Sequence, residues 1–413
     1  MRVEKRSYTP QDFAPVPRQA QQAWTAPGQA SSYWGDAWRR LRRNWVAMAA
    51  LWVLIVLVLF AFAGPLVVPY GYDQFNPGAE NLPPWHYSLE DQRTLAASQL
   101  TEEQAIDQAR AQAEAEGRPF TALEEATIRA QYKVGAVGPE ASELGIRKRL
   151  FGYSTQELER KEAGEFVFPH IFGTDKHGRD LLVRTMYATR VSMTVGVAAA
   201  LLVLVIGATY GAVSGYFGGK VDAVMQRIVE IIYSVPEMLV VLLIATALQP
   251  TLTEFQNSGT GPMQSFVTVL GPNLISLFIA FGLLYWVTMS RIIRGQVLQL
   301  KQSEYITAAR ALGVPGGRII RRHMLPNCIG QIVVTTCLQI PSAIFLESFL
   351  SYLGVGVSAP LPSLGSMATD ALSGLSTYPY RLVFPAAVLS IMILAFNLFG
   401  DGLRDALDPK LKR

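Results

Sequence analysis

The stretch Trp45–Ala63, WVAMAALWVLIVLVLFAFA, decides the class of this chain. Its 19 residues carry no charge. A bilayer core takes roughly 20 apolar residues of helix, because only a helix satisfies its own backbone N–H and C=O groups in lipid. A 44-residue tail precedes the stretch, too long for the leading region of a secretory signal, and no small-residue cleavage pattern follows Gly64-Pro65. It reads as a retained transmembrane span.

Five more apolar runs follow outward from it: Val191–Gly219, Ile228–Ala247, Leu274–Met289, Ile332–Leu353 and Phe384–Phe399. The composition agrees. Half of the 413 residues are hydrophobic and 16% are charged, against about a quarter in soluble domains. That excludes a disordered chain and argues against a soluble enzyme. The net charge of +4 is too small to imply a nucleic-acid partner. Cys328 and Cys337 give neither a disulfide framework nor a metal pair, and His86, His170, His177 and His323 show no ligand spacing. No metal site is expected.

Charge placement sets the orientation. Arg39, Arg40, Arg42 and Arg43 precede the first run. The stretch between the fourth and fifth carries Arg291, Arg294, Lys301, Arg310, Arg318, Arg321 and Arg322 against one acid, Glu304. The chain ends on Lys410, Lys412 and Arg413. With six spans all three clusters share one side, expected to be cytoplasmic, with both termini. The fold expected is an all-α integral membrane protein with an extracytoplasmic helical insertion between the first two spans.

The domain reading follows the same signals. Residues 1–30, rich in Pro, Gln and Ala, read as a disordered tail. Residues 31–68 hold an interfacial helix, with Trp34 and Trp38 one turn apart and arginines behind, and then the first span. Residues 69–189 form the insertion, and 190–413 the transmembrane domain with a cytoplasmic loop at 291–330. In the insertion, Thr101-x-x-Gln104, Thr121-x-x-Glu124 and Ser154-x-x-Glu157 match the capping box that starts a helix. Gly117 and Pro119 close the first helix and Gly135 the second. The helices are expected to pack on the spans rather than fold alone.

Residues 301–327, KQSEYITAARALGVPGGRIIRRHMLPN, carry the most information. The composition predicts a helix over Tyr305–Leu312, a sharp turn at Gly313, and a second short basic helix over Gly317–Met324, stopped at Leu325-Pro326. Small alanines allow close approach, so this helix–turn–helix suits insertion into a groove on another protein.

This stretch resembles the coupling loop of ABC importer permeases. That family's pattern is Glu-Ala-Ala, three residues, Gly, nine residues, then Ile-x-Leu-Pro. Here Thr307-Ala308-Ala309, Gly313 and His323-Met324-Leu325-Pro326 keep the spacing, with Thr307 replacing the acid and His323 the isoleucine. Phe172-Gly173-Thr174-Asp175 with Gly178-Arg179-Asp180 resembles the FGTDxxGRD signature of dipeptide and oligopeptide permeases. So do Arg190-Val191-Ser192 after it, and Gly354-Val355-Gly356, Pro360-x-Pro362-Ser363 and Gly365, with Leu364 where tryptophan is usual. Phe396-Asn397-Leu398 and Gly400–Asp405 resemble that subfamily's C-terminal signature. The likeness covers about residues 34–75 and 168–413. The tail and motif order resemble the C-type subunit.

The resemblance implies the six-span fold of type I ABC importers, and a permease for short peptides in a bacterial cytoplasmic membrane. It implies coupling to ATPase subunits through 303–326, with Glu304, Thr307, Ala308, Ala309, Arg310, Gly313, Leu325 and Pro326 at the contact. The implied partners are a homologous B-type permease, two ABC ATPases, an extracytoplasmic substrate-binding protein and membrane lipid. The alternatives are nickel or glutathione as cargo on the same machinery, or an ion-driven secondary transporter.

The chain carries no nucleotide motif: Gly218-Gly219-Lys220 is followed by Val221 and lacks the first glycine. It is expected to be non-catalytic and to bind no cofactor, with ATP and magnesium used by the partner ATPases. Three acids inside apolar runs, Glu230, Glu237 and Glu347, each have two readings: a polar translocation path, or an interhelix hydrogen bond. Asp175, Arg179 and Asp180 are expected to pair with one another at a membrane surface.

Overall fold

The structure, a computed structural model, describes residues 33–86, 94, 101–134, 149–150, 153–258, 261–357 and 361–407. The expected tail 1–30, the helix end at Gly135, Pro360 and the basic terminus Lys410–Arg413 lie outside the described residues.

Six helices are long and apolar enough to cross a membrane. Helix α1, Tyr33–Arg43, runs into α2, Trp45–Phe62, where the Asn44 side chain accepts from the Ala47 N–H. Trp34 and Trp38 lie exposed on α1, with Arg42 stacked over Trp38, while Ala37 and Leu41 face inward. After the short α3, Gly64–Val67, comes the insertion, with β1 at Trp85–His86, α4 at Glu102–Ala115, α5 at Ala122–Val134, β2 at Arg149–Leu150 and α6 at Thr155–Glu162. The two strands pair antiparallel, Trp85 opposite Leu150, which sequence reading did not anticipate. All three expected capping boxes are formed.

The second span is α7, Leu181–Phe217. It begins before the expected boundary at 190 because the Asp180 carboxylate caps it, accepting from the Val183 N–H. The charges that discouraged an earlier start are accommodated. Arg184 reaches Asp175, Asp370 and the Tyr72 carbonyl, and Arg190 donates to the Ala61 and Phe62 carbonyls.

The third apolar run is two helices, not one. Helix α8, Gly219–Tyr233, ends at Ser234, and α9, Glu237–Ser258, starts after Pro236, whose ring cannot continue a helix. Glu237 therefore opens a span instead of lying two turns inside one. Helix α10, Pro262–Leu270, leads to α11, Pro272–Leu284, and α12, Trp286–Leu300, which together make the fourth span.

Helix α13, Glu304–Ala311, is followed by the turn and by α14, Gly316–Ile319. The expected stop at Leu325-Pro326 does not occur. A π turn at Ile320–Met324 and a 3-10 turn at Leu325–Cys328 carry the chain into α15, Ile329–Tyr352. Changing the hydrogen-bond register around Pro326, which has no N–H, lets the helical path pass through it. Helix α16, Leu364–Leu372, and α17, Tyr380–Leu407, complete the chain.

The bundle is centred on α7, which packs against α12 and α15, while α17 bridges α15 and α2. The α7–α12 seam is built from Gly207, Gly211 and Gly215, spaced by four and so on one helix face. A Cβ on Gly207 would stand 2.7 Å from the Met289 Cβ, one on Gly215 3.0 Å from the Arg294 carbonyl, and one on Gly211 would run into the Ser290 carbonyl. In lipid, where apolar burial drives nothing, such close backbone packing is what holds helices together.

The Tyr33 hydroxyl donates to the Leu407 carbonyl and lies against Gly330, so both ends of the described chain meet at one end of the bundle. The insertion is joined at the other, where the Tyr380 hydroxyl donates to the Thr174 carbonyl and Phe172 stacks on Phe384 at 4.1 Å.

Candidate functional site

Three arrangements carry the chemistry. The first is the elbow at 301–328. The Gly313 N–H bonds the Arg310 carbonyl and the Val314 N–H bonds the Ala309 carbonyl, the paired bonds of a Schellman stop. Gly313 sits at φ +76°, a backbone state that L side chains resist. One side of the elbow is anchored: Ile306, Ile319 and Met324 are wholly buried in a cluster with Ala212 of α7 and Ile293 and Val297 of α12. Gly316 sits against Tyr216, and the Arg310 guanidinium stacks over the same ring. The other side is open. Glu304, Thr307, Ala308, Arg310, Gly313 and Pro326 are exposed, and Leu312 is 83% exposed. Ala309 and Leu325 are half-buried and belong to the anchor. At the neighbouring turn, Arg294 of α12 makes two 2.6 Å bonds to Asp222 of α8, which also accepts from Ser214. The Arg294 guanidinium holds the Asp222 carboxyl below the usual range.

The second is a cavity of about 520 Å³ between α9, α12, α15 and α17. Its lining includes Tyr233, Glu237, Tyr285, Gln339, Ser342 and Asn397. Of the three acids singled out in the sequence, only Glu237 lines it. Glu230 is on exposed α8, paired with Arg227 at 2.7 Å. Glu347 is fully buried and accepts from Ser192 and Ser351 at 2.7 Å each and Ser348 at 3.3 Å, joining α7 to α15. Its geometry is that of an interhelix hydrogen-bond centre, the second of its two readings, and neither it nor Glu230 lines this cavity.

The third was not legible in the sequence. The His170 ring lies between two carboxylates, 2.6 Å from Asp180 at Nδ1 and 2.9 Å from Glu157 at Nε2. It is 1% exposed and stacks on Tyr70. Asn76 donates to Glu157 at 2.8 Å. Burial alone would lower the imidazole, but the hydrogen bonds and charges of Asp180 and Glu157 outweigh it and lift its pKa to about 9. Burial raises the Glu157 carboxyl, yet the bond and charge of His170, with help from Ser154, leave it below its ordinary value. The cluster ties α6 of the insertion to the cap of α7. Of the expected Asp175–Arg179–Asp180 group, Asp175 and Arg179 pair at 2.7 Å, while Asp180 turns to His170 instead. No spacing rule links residues 157, 170 and 180. Only the Ser154 capping box, which fixes Glu157, hinted that one of the acids was held; the cap at Asp180 was seen only in the structure.

Comparison with known proteins agrees with this architecture. Residues 207–413 match the model of the family described as binding-protein-dependent transport system inner membrane component, and residues 32–84 match the N-terminal TM domain of oligopeptide transport permease C. The dipeptide transport system permease protein DppC of Bacillus subtilis is 36% identical over 383 residues, covering 92% of this chain and 87% of that protein. DppC of Lactococcus lactis is 35% identical, with 92% of each chain covered. The oligopeptide transport system permease protein OppC of Bacillus subtilis is 46% identical over 244 residues, 59% of this chain and 73% of that protein. The chain therefore belongs to the family of inner membrane components of binding-protein-dependent transport systems.

Proposed function

We propose that this chain is the non-catalytic permease subunit of an ATP-driven importer that carries short peptides inward across a bacterial cytoplasmic membrane. The DppC and OppC relatives are named for dipeptide and oligopeptide transport, and this supports peptides as the cargo. Both termini and the elbow face the cytoplasm. A homologous permease completes the path, an extracytoplasmic binding protein delivers the cargo, and two ATPase subunits, with their ATP and magnesium, dock on the exposed face of α13. This chain binds no cofactor. Glu237 lies on the path.

The observation that carries this reading is the two-sidedness of the elbow. Ile306, Ile319 and Met324 fix it rigidly under α7 and α12, while Glu304, Thr307, Ala308, Arg310 and Leu312 are left uncovered. A motor bound there moves the anchored helices as a body, tilting the path from inward-facing to outward-facing.

The test is Gly313→Val in the assembled transporter. A β-branched residue at φ +76° costs on the order of 1–2 kcal/mol, and nothing lies within 4 Å of a Cβ at that position. Membrane insertion and subunit assembly should be retained, while peptide-stimulated ATP hydrolysis falls by about tenfold if that strain enters the coupling step. Stimulation equal to that of the unaltered protein would remove the elbow from the coupling mechanism.

A further inference from the structure

We propose that Glu237 is a specificity-determining residue that receives the ammonium groups of the passing peptide, its N-terminal amine or a lysine side chain. This rests on the reading of the cavity as part of the path. Among the described residues, Glu237 is the only acid lining the cavity, and no Lys, Arg or His lines it. Arg291, stacked 4.5 Å from the Tyr233 ring centroid, is not part of it.

The rest of the lining suits the same ligand chemistry. The Tyr285 hydroxyl bonds the carboxylate, and Tyr233, whose ring carries the Arg291 guanidinium, lines the same cavity. Aromatic faces attract cations, most strongly where water is sparse. Gln339, Ser342, Thr288 and Asn397 are neutral donors and acceptors able to meet peptide amides without preferring either charge. An acid beside the Tyr285 phenol, with no base among the described lining residues, attracts an ammonium and repels a carboxylate. The carboxylate is also placed for this. Glu237 opens α9 and is exposed in this chain with one hydroxyl partner, Tyr285, whereas Glu347 is buried and its oxygens are taken up by several serine hydroxyls. The chain would thus give the passage a polarity, cation toward α9.

The experiment uses the complete transporter in proteoliposomes with its binding protein at saturation, and three tripeptides: Ala-Ala-Ala, Ala-Lys-Ala and Ala-Glu-Ala. The binding protein is common to every arm, so a change between variants in the ratio of lysyl to glutamyl uptake belongs to the cavity. Glu237→Gln should lower that ratio by roughly tenfold, the effect of removing one partly solvated charge pair. Glu237→Lys should invert it, and Glu237→Asp should preserve it. A ratio unchanged within about twofold in the Gln variant overturns the inference while leaving the import reading intact. If the Gln variant carries none of the three, the Asp variant decides: the original ratio upholds the role of charge, and an equally inactive Asp variant overturns it in favour of a structural role. Failure of the unaltered complex to take up any tripeptide overturns both.

Discussion

Substituting Gly211 with valine should leave the bundle unable to close. Gly211 is at the centre of the seam between α7 and α12, and its Cα approaches the Ser290 backbone so closely that even one added carbon meets the carbonyl. A flexible side chain can move aside, but a helix backbone cannot do so without shifting its whole length. Overpacking typically costs about 1–3 kcal/mol. A collision with backbone belongs at or above the top of that range, in a bundle where tight packing is the main force between helices. The expected result is loss of monodisperse protein after detergent extraction, or a thermal midpoint lowered by many degrees. Gly295→Ala on α12 is the matched control. Nothing lies within 4 Å of a Cβ there, so alanine should stabilise the helix by about 0.5–1 kcal/mol. Similar midpoints for the two variants would refute the packing account.

Replacing His170 with alanine should release the insertion from the second span. The substitution leaves Glu157 and Asp180 buried, 5% and 3% exposed, without the ring that separates and neutralises them. Removing one partner of a buried ionic group costs about 3–5 kcal/mol, because the remaining charge is stranded. Protease cleavage within 153–180 should become fast while the transmembrane core stays folded. A truncation of the insertion that removes Ser154 and Glu157 should act the same way, so a tolerated deletion must end before Ser154.

The same cluster gives a pH dependence of defined sign. The folded His170 pKa of about 9 exceeds the ordinary 6.5. Its stabilisation, about 3 kcal/mol from a shift of that size, is complete below pH 6.5 and is lost as the pH rises toward 9. The lowered Glu157 carboxyl acts oppositely: its contribution is present above the ordinary 4.5 and is lost as the pH falls through the folded value. The two share one His170–Glu157 interaction, which counts once. The junction should therefore be firmest between about pH 4.5 and 6.5. The thermal midpoint of the unaltered protein should fall between pH 6.5 and 9, and the His170→Ala variant should lose that slope. A slope that survives the substitution would assign it to another group.

Six apolar runs, the helix starts in the insertion, the elbow at Gly313 and the lack of a nucleotide motif were legible along the chain, although the third run proved to be two helices broken at Pro236. These are local or periodic properties. A 19-residue run without charge, a hydroxyl three residues before an acid, and a glycine after a small helix each act through neighbours in the chain. Tertiary structure decided what Glu237 and Glu347 do, while Glu230 pairs locally with Arg227 three residues before it. Glu230, Glu237 and Glu347 look alike as acids in apolar runs. Yet one pairs with Arg227 on a surface helix, one lines a cavity after a proline break, and one is enclosed by serines from α7 and α15. Likewise His170, Glu157 and Asp180 meet only because α6 folds back onto the start of α7. A buried charge is stabilised by whatever partner the fold brings within about 3 Å, and that partner has no fixed distance along the chain.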